Sequence, residues 1–265
     1  VRVSIFLEAP ATLDAGYSAE GVGMNAGAIS YRDALKANQR QMTAAIEAAV
    51  GYSLNVKWNL TLLVNAISCY ILYKDIDTVA AMDGVKSVEI ENCYAPQEDA
   101  VSGTAEPNTS NTSAYMVGAQ DAWKAGYTGA GQRIAIIDTG LDTDHQSVNA
   151  DAFDYALQQL DTYPELMTSS DITAVKSELN GSGTYLSKKI PYAYNYIDEN
   201  TTVNHLSDTQ GEHGSHVASI AAGNRYIYTE SEDGSIAFKN ARTEVHTQGN
   251  APDAQLLIMK VFGKG

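Results

Sequence analysis

The residues whose types and spacing could do chemistry are a carboxylate that closes an apolar run and a histidine that opens a small-residue segment. Asp138 ends the run Ile134-Ala135-Ile136-Ile137 and is followed at once by Thr139-Gly140. A carboxylate at the end of a buried strand is costly to desolvate unless something pairs with it. The carboxyl ends of strands are also where open α/β sheets build their sites. Three chemistries fit this stretch taken alone. It could be a strand end with an Asx-type turn. It could be half of an aspartic dyad, in which two carboxylates share a proton. Or Asp138 could orient a histidine that deprotonates a serine.

The second stretch favours the last of these. Gly211-Glu212-His213-Gly214-Ser215-His216-Val217-Ala218-Ser219 leads to Ile220-Ala221-Ala222-Gly223. This reads as a glycine turn entering a helix, closed by Gly223. Gly214, Ser215 and Ala218 are small enough to let that helix approach a sheet closely. An aspartic dyad needs no such helix, and its all-β architecture conflicts with the alternation of strands and helices here. His216 lies three residues beyond His213, but no third ligand with its own motif is evident, so it is expected to be a structural, hydrogen-bonding histidine. His145, His205 and His246 have no pattern around them.

The elements that must position these groups are legible in outline. Val1 to Leu7 alternates as a strand, and Asp14 to Gly27 reads as a loop. Ser30 with Asp33 offers a capping-box-like start for a helix that ends at Gly51. Val56 to Leu60 and Leu62 to Tyr73 are strand-like, Asp75 to Met82 fits a short helix, and Val85 to Ile90 alternates as a last strand. The order βαββαβ in residues 1–95 predicts a ferredoxin-like α+β unit. Residues 96–113, rich in Ser, Thr and Asn, read as an exposed linker and processing region.

The remainder, residues 114–265, predicts a parallel α/β sheet. Ala114 to Gly126 is expected to be helical, with Met116, Val117, Ala119 and Trp123 on one side. Residues 151–183 read as a polar, helix-prone insertion, and Lys189 to Tyr196 as an aromatic strand whose rings pack against the sheet. Residues 224–247 are expected to be a surface loop, and Gln255 to Phe262 a buried strand. Gly265 follows that strand closely, an odd place for a domain to end.

Composition sets bounds. The net charge of −15 argues against a nucleic-acid-binding surface, which needs clustered Lys and Arg. The two cysteines, Cys69 and Cys93, make no disulfide framework and have no metal-ligand spacing, so both are expected to be buried thiols. No apolar run is long enough to span a membrane. The first residues already alternate like a strand, so any export signal is expected upstream. The Asn-x-Ser/Thr triplets at Asn59, Asn108, Asn111 and Asn200 are of a kind common by chance.

These motifs resemble those of the subtilisin-like serine proteases, the subtilases. Ile134 to Gly140 matches that family's Asp motif. His213 to Ser219 matches its H-G-T-H-V-A-G motif with changes at Ser215 and Ser219. Gly249 to Leu256 through Lys260-Val261 is similar to its G-V-A-P-x-A-x-L…K-V segment. The insertion, K-I-P-Y-A-Y-N-Y and A-P-D-A-Q-L-L-I-M-K-V-F are most similar to cell-envelope proteinases of lactocepin type, and the unit at 1–95 resembles the inhibitory propeptide of such enzymes.

The resemblance implies a zymogen of a serine endopeptidase, acting on proteins or peptides, secreted or attached to the cell surface. His213 would be the general base and then the general acid, and Asp138 would fix its tautomer. The chain order Asp then His also fits this family. No G-T-S-M-A-like string occurs in the 265 residues, so the nucleophile, the oxyanion asparagine and the substrate-binding strand are expected beyond Gly265, and the fragment alone is expected to be inactive. Ser215 and Ser219 belong to the histidine motif and are not substitutes. The resemblance implies a calcium ligand nine residues after Asp138, but that residue is Ser147, which leaves only Asp142, Asp144 and Asp151 as local candidates. The alternative function is a non-catalytic binding module, either a pseudoprotease or a propeptide that inhibits or chaperones another chain.

Overall fold

The computed structural model describes residues 1–19, 21–92, 114–176, 181–206, 211–231 and 233–263. The expected linker at 96–113 and Cys93 lie outside the described residues. The chain divides into two compact units, Val1–Tyr94 and Ala95–Gly265.

The first unit runs β1 (Arg2–Leu7), α1 (Ala26–Val50), β2 (Asn55–Leu60), β3 (Ala66–Tyr70), α2 (Ile76–Ala80) and β4 (Val85–Ile90). Its sheet has the order β2-β3-β1-β4, and every neighbouring pair is antiparallel. Alternation in β1 puts Val3, Ile5 and Leu7 inside, and register sets Val3 beside Cys69 and Ile5 beside Ile67. Ile46 and Met42 of α1 and Val79 of α2 pack on this apolar face.

Two boundaries differ from the expected ones. Helix α1 starts at Ala26, because the Asn25 side chain accepts from the Gly27 and Ala28 amides, so Asn25 and not Ser30 is the cap. The third strand begins only at Ala66. Before it, Thr61 O accepts from Thr12 N and Oγ1, and Asn65 Nδ2 donates to Ala9 O, tying residues 61–65 into a turn.

The second unit contains α3 (Ala119–Lys124), β5 (Arg133–Asp138), α4 (Ala150–Gln158), α5 (Ser169–Val175), β6 (Tyr192–Asn195), α6 (His213–Ala222), β7 (Tyr226–Glu230), β8 (Ile236–Asn240), α7 (Ala241–Glu244) and β9 (Gln255–Lys260). Strands β5, β9 and β6 form a parallel sheet with β9 in the middle. Ile136, Ala193, Leu256 and Ile258 of the sheet and Ala218 and Ala222 of α6 share one core. The molecule is therefore mixed α/β, with a parallel sheet carrying Asp138.

Two expectations for this unit are corrected. The helix read at 114–126 is shorter: Gly118 has φ of 75° and interrupts it, and Met116 and Val117 are 78% and 71% exposed rather than on a buried side. Residues 224–247 are not a loop. They form the antiparallel hairpin β7–β8, turning at Asp233-Gly234, and then α7. Phe238 of the hairpin stacks on Tyr155 of α4, with ring centroids 4.6 Å apart.

Among the described residues of this unit, two lysines are fully buried. Lys189 donates to Pro252 O at 2.9 Å and Ala254 O at 2.8 Å, with its ammonium 4.6 Å from the centre of the Phe153 ring. Burial pulls its pKa down to about 7 against the opposing field of Asp253. The buried carboxylate of Asp253 in turn lies 3.0 Å from Arg225 Nη2. Lys260 closes β9 beside Asp138.

Candidate active site

Asp138 is the last residue of β5, held in register opposite Lys260. His213 is the first residue of α6. The turn Thr139-Gly140 brings the two elements together. Gly140 has φ of 113°, and a Cβ there would overlap the carbonyl oxygen of Val203, so only glycine fits. Leu141 N then donates to Val203 O at 2.9 Å. On the helix side, Gly214 N donates to Thr139 Oγ1 at 2.9 Å, which satisfies one of the orphan amides of the first turn.

His213 Nδ1 lies 2.8 Å from Asp138 Oδ1. The same oxygen accepts from Thr139 N at 2.6 Å. The side chains are 31% and 14% exposed, so the pair is largely withdrawn from solvent yet reachable from the histidine side. A carboxylate can only accept, so Nδ1 carries the proton of this bond. That tautomer leaves the lone pair on Nε2. When the ring is neutral the arrangement is an oriented base, able to take a proton at Nε2, with an anion placed to stabilise the imidazolium.

The other residues singled out in the sequence divide clearly. Ser215 Oγ accepts from Asp142 N at 2.8 Å and donates to the Glu212 carboxylate, so it ties the helix start to the turn after Asp138. His205 Nδ1 pairs with the same Glu212. No motif around His205 announced that partnership. His216 was expected to be a hydrogen-bonding structural residue, but its ring lies at an exposed position on α6. One helical step of about 100° per residue carries position 216 away from the face that holds 214 and 218.

At the position where the resemblance implies a calcium ligand, Ser147 Oγ lies 2.8 Å from His145 Nδ1 and 3.0 Å from Ser219 Oγ. Asp142 Oδ1 accepts from Asp144 N at 3.2 Å in a local turn, and Asp151 sits in the first turn of α4, where a carboxylate is favoured without any metal. Among the described residues no group of three or more His, Cys, Asp or Glu is placed to hold a metal ion. A hydroxyl network at Ser147 does not supply the oxygen-rich anionic cage that calcium takes.

An aspartate that closes a parallel strand is thus bonded to a histidine that opens a helix, an arrangement able to serve as an oriented acid–base pair. The subtilase family model matches residues 129–265, and the chain belongs to that family of serine peptidases. It is 29% identical over 228 residues to the PII-type proteinase of Lactococcus lactis subsp. cremoris, covering 85% of this chain and 10% of the relative. Similarity to the PII-type proteinase of Lacticaseibacillus paracasei is 30% over 229 residues, again 85% of this chain and 10% of the relative. The minor extracellular protease Vpr of Bacillus subtilis (strain 168) is 28% identical over 212 residues, 78% of this chain and 19% of the relative. The chain thus spans about a tenth to a fifth of the length of these relatives.

Proposed function

We propose that this chain is part of a subtilase zymogen: a serine endopeptidase that hydrolyses peptide bonds with Asp138, His213 and a serine supplied by a longer polypeptide. The observation that carries the reading is the 2.8 Å bond from His213 Nδ1 to Asp138 Oδ1. His213 Nε2 takes the serine proton as the nucleophile attacks the scissile carbonyl, then returns it to the leaving amine. Asp138 holds the tautomer and stabilises the imidazolium without itself being protonated. Donors for the oxyanion, an asparagine among them, and the substrate-binding strand are assigned to the same longer chain.

The first unit is assigned as a ferredoxin-like propeptide acting as inhibitor and folding chaperone. Its βαββαβ order and its antiparallel sheet in the order β2-β3-β1-β4 support this. Residues 96–113 are assigned as the link and processing region between it and the peptidase domain. Protein or peptide substrates follow from the family. Secretion or attachment to the cell envelope is supported by the extracellular relative from Bacillus subtilis, and no helix among the described residues is long and apolar enough to cross a membrane.

The test is labelling with a fluorophosphonate, which reacts only with an activated serine. The parent protein, freed of residues 1–113 after folding, is expected to label and to cleave an unfolded protein substrate. The 265-residue chain, which carries no G-T-S-M-A-like string, is expected to do neither. A processed parent that binds peptides but never labels would overturn the enzyme reading in favour of a binding module.

A further inference from the structure

We infer that Lys260 is a positioning residue for the Asp138–His213 pair, an inference that rests on the catalytic reading of that pair. Lys260 ends the central strand β9 and stands opposite Asp138 in the parallel ladder. It is 0% exposed. Its Nζ donates to Thr139 O at 2.5 Å, and Val261 N donates to Asp138 O at 2.9 Å. The end of β9 therefore grips both peptide carbonyls of the Asp138-Thr139 turn.

Thr139 is the residue that joins the two partners. Its amide donates to Asp138 Oδ1 at 2.6 Å, and its Oγ1 accepts from Gly214 N, the amide next after His213, at 2.9 Å. Asp138 and His213 are thus linked twice: directly through their side chains, and indirectly through Thr139. The carbonyl of that linking residue is fixed by the Lys260 ammonium. An apolar side chain at 260 would fill the same volume without taking an ammonium out of water. What the ammonium adds is a short, directional, charge-assisted bond to one carbonyl. The turn then has little freedom to rotate, and the Asp138 carboxylate keeps the direction that meets Nδ1. Loss of that direction by a fraction of an ångström is felt in the chemical step more than in substrate binding.

The test uses proton NMR of the 265-residue chain, which needs no serine and no turnover. An Nδ1 proton shared with a carboxylate gives a low-field ring signal, assigned by its disappearance in His213→Gln. In Lys260→Met this signal is expected to broaden away or move upfield, while circular dichroism and cooperative urea unfolding remain native-like. Thr139→Val is expected to do the same, and the double variant to add little to either single change. In the processed parent, Lys260→Met is expected to lower kcat by about 10- to 100-fold with KM within about twofold. If Lys260→Met does not fold, Lys260→Gln carries the same comparison. An unchanged low-field proton in a folded Lys260 variant would overturn the inference, as would a fall in thermal stability alone. Absence of the signal from the unmodified chain would instead overturn the pair, and this inference with it; failure of the parent to label with fluorophosphonate while the signal behaves as expected would overturn only the enzyme reading.

Discussion

Gly214 lies against the backbone of Gly140, so closely that a Cβ at 214 would overlap the Gly140 carbonyl oxygen and come within 2.9 Å of its amide nitrogen. The helix that starts at His213 is set down on the turn that follows Asp138, and at these two glycines backbone meets backbone. This close approach brings the two side chains within bonding distance. Gly214→Ala is therefore expected to push the first turn of α6 away from β5. The cost is about 1–3 kcal/mol of stability, as for other overpacked cores. Urea unfolding of the chain measures it, and wild-type stability would refute the packing argument.

Much of this was legible from the residues, for physical reasons that differ by element. Val85 to Ile90 alternates and is bounded by Asp83-Gly84, and β4 spans those same residues. The Asp138 and His213 motifs each sit at an element boundary marked by glycine, so their placement at a strand end and a helix start could be read directly. Helix α1 hid its start because Gly27 and Ala28 look like loop, although Asn25 caps both amides. The hairpin β7–β8 hid behind polar residues, and the ring that Tyr226 and Phe238 pack on, Tyr155, is distant in sequence. The roles of Lys189 and Lys260 depend on partners far along the chain, and no local pattern marks them.

Lys189 makes stability depend on pH in a definite direction. Its pKa is lowered to about 7 in the folded chain, against an ordinary value of 10.5. Between those values the unfolded chain binds more protons than the folded one. Stability therefore rises as pH increases through that window, and below about 7 the burial of the charged form is a constant burden. Lys189→Met is expected to flatten this rise relative to the unmodified chain, at the expense of leaving the Pro252 and Ala254 carbonyls without their donor. Urea midpoints from pH 6.5 to 10 check it, and identical slopes for the two proteins would contradict the assignment.

Cys69 should be chemically silent in the folded state. It is fully buried in β3, and burial, aided by the field of Glu91, pushes its thiol up to about 11. The thiolate is the reactive form, so neither access nor ionisation favours attack. In a Cys93→Ser variant, a disulfide reagent is expected to modify Cys69 only as fast as the first unit unfolds. Rapid modification under native conditions would show that the β1–β3 core opens locally.

The most direct measurement of the central claim is steady-state turnover of the processed parent enzyme carrying Asp138→Asn. That substitution keeps the shape but makes the 138 side chain able to donate, so His213 is held in the wrong tautomer. The expected result is a fall in kcat of about 10⁴-fold with KM nearly unchanged. Turnover within a few-fold of the unmodified enzyme would contradict it, and Asp138 would then be only the polar end of a buried strand.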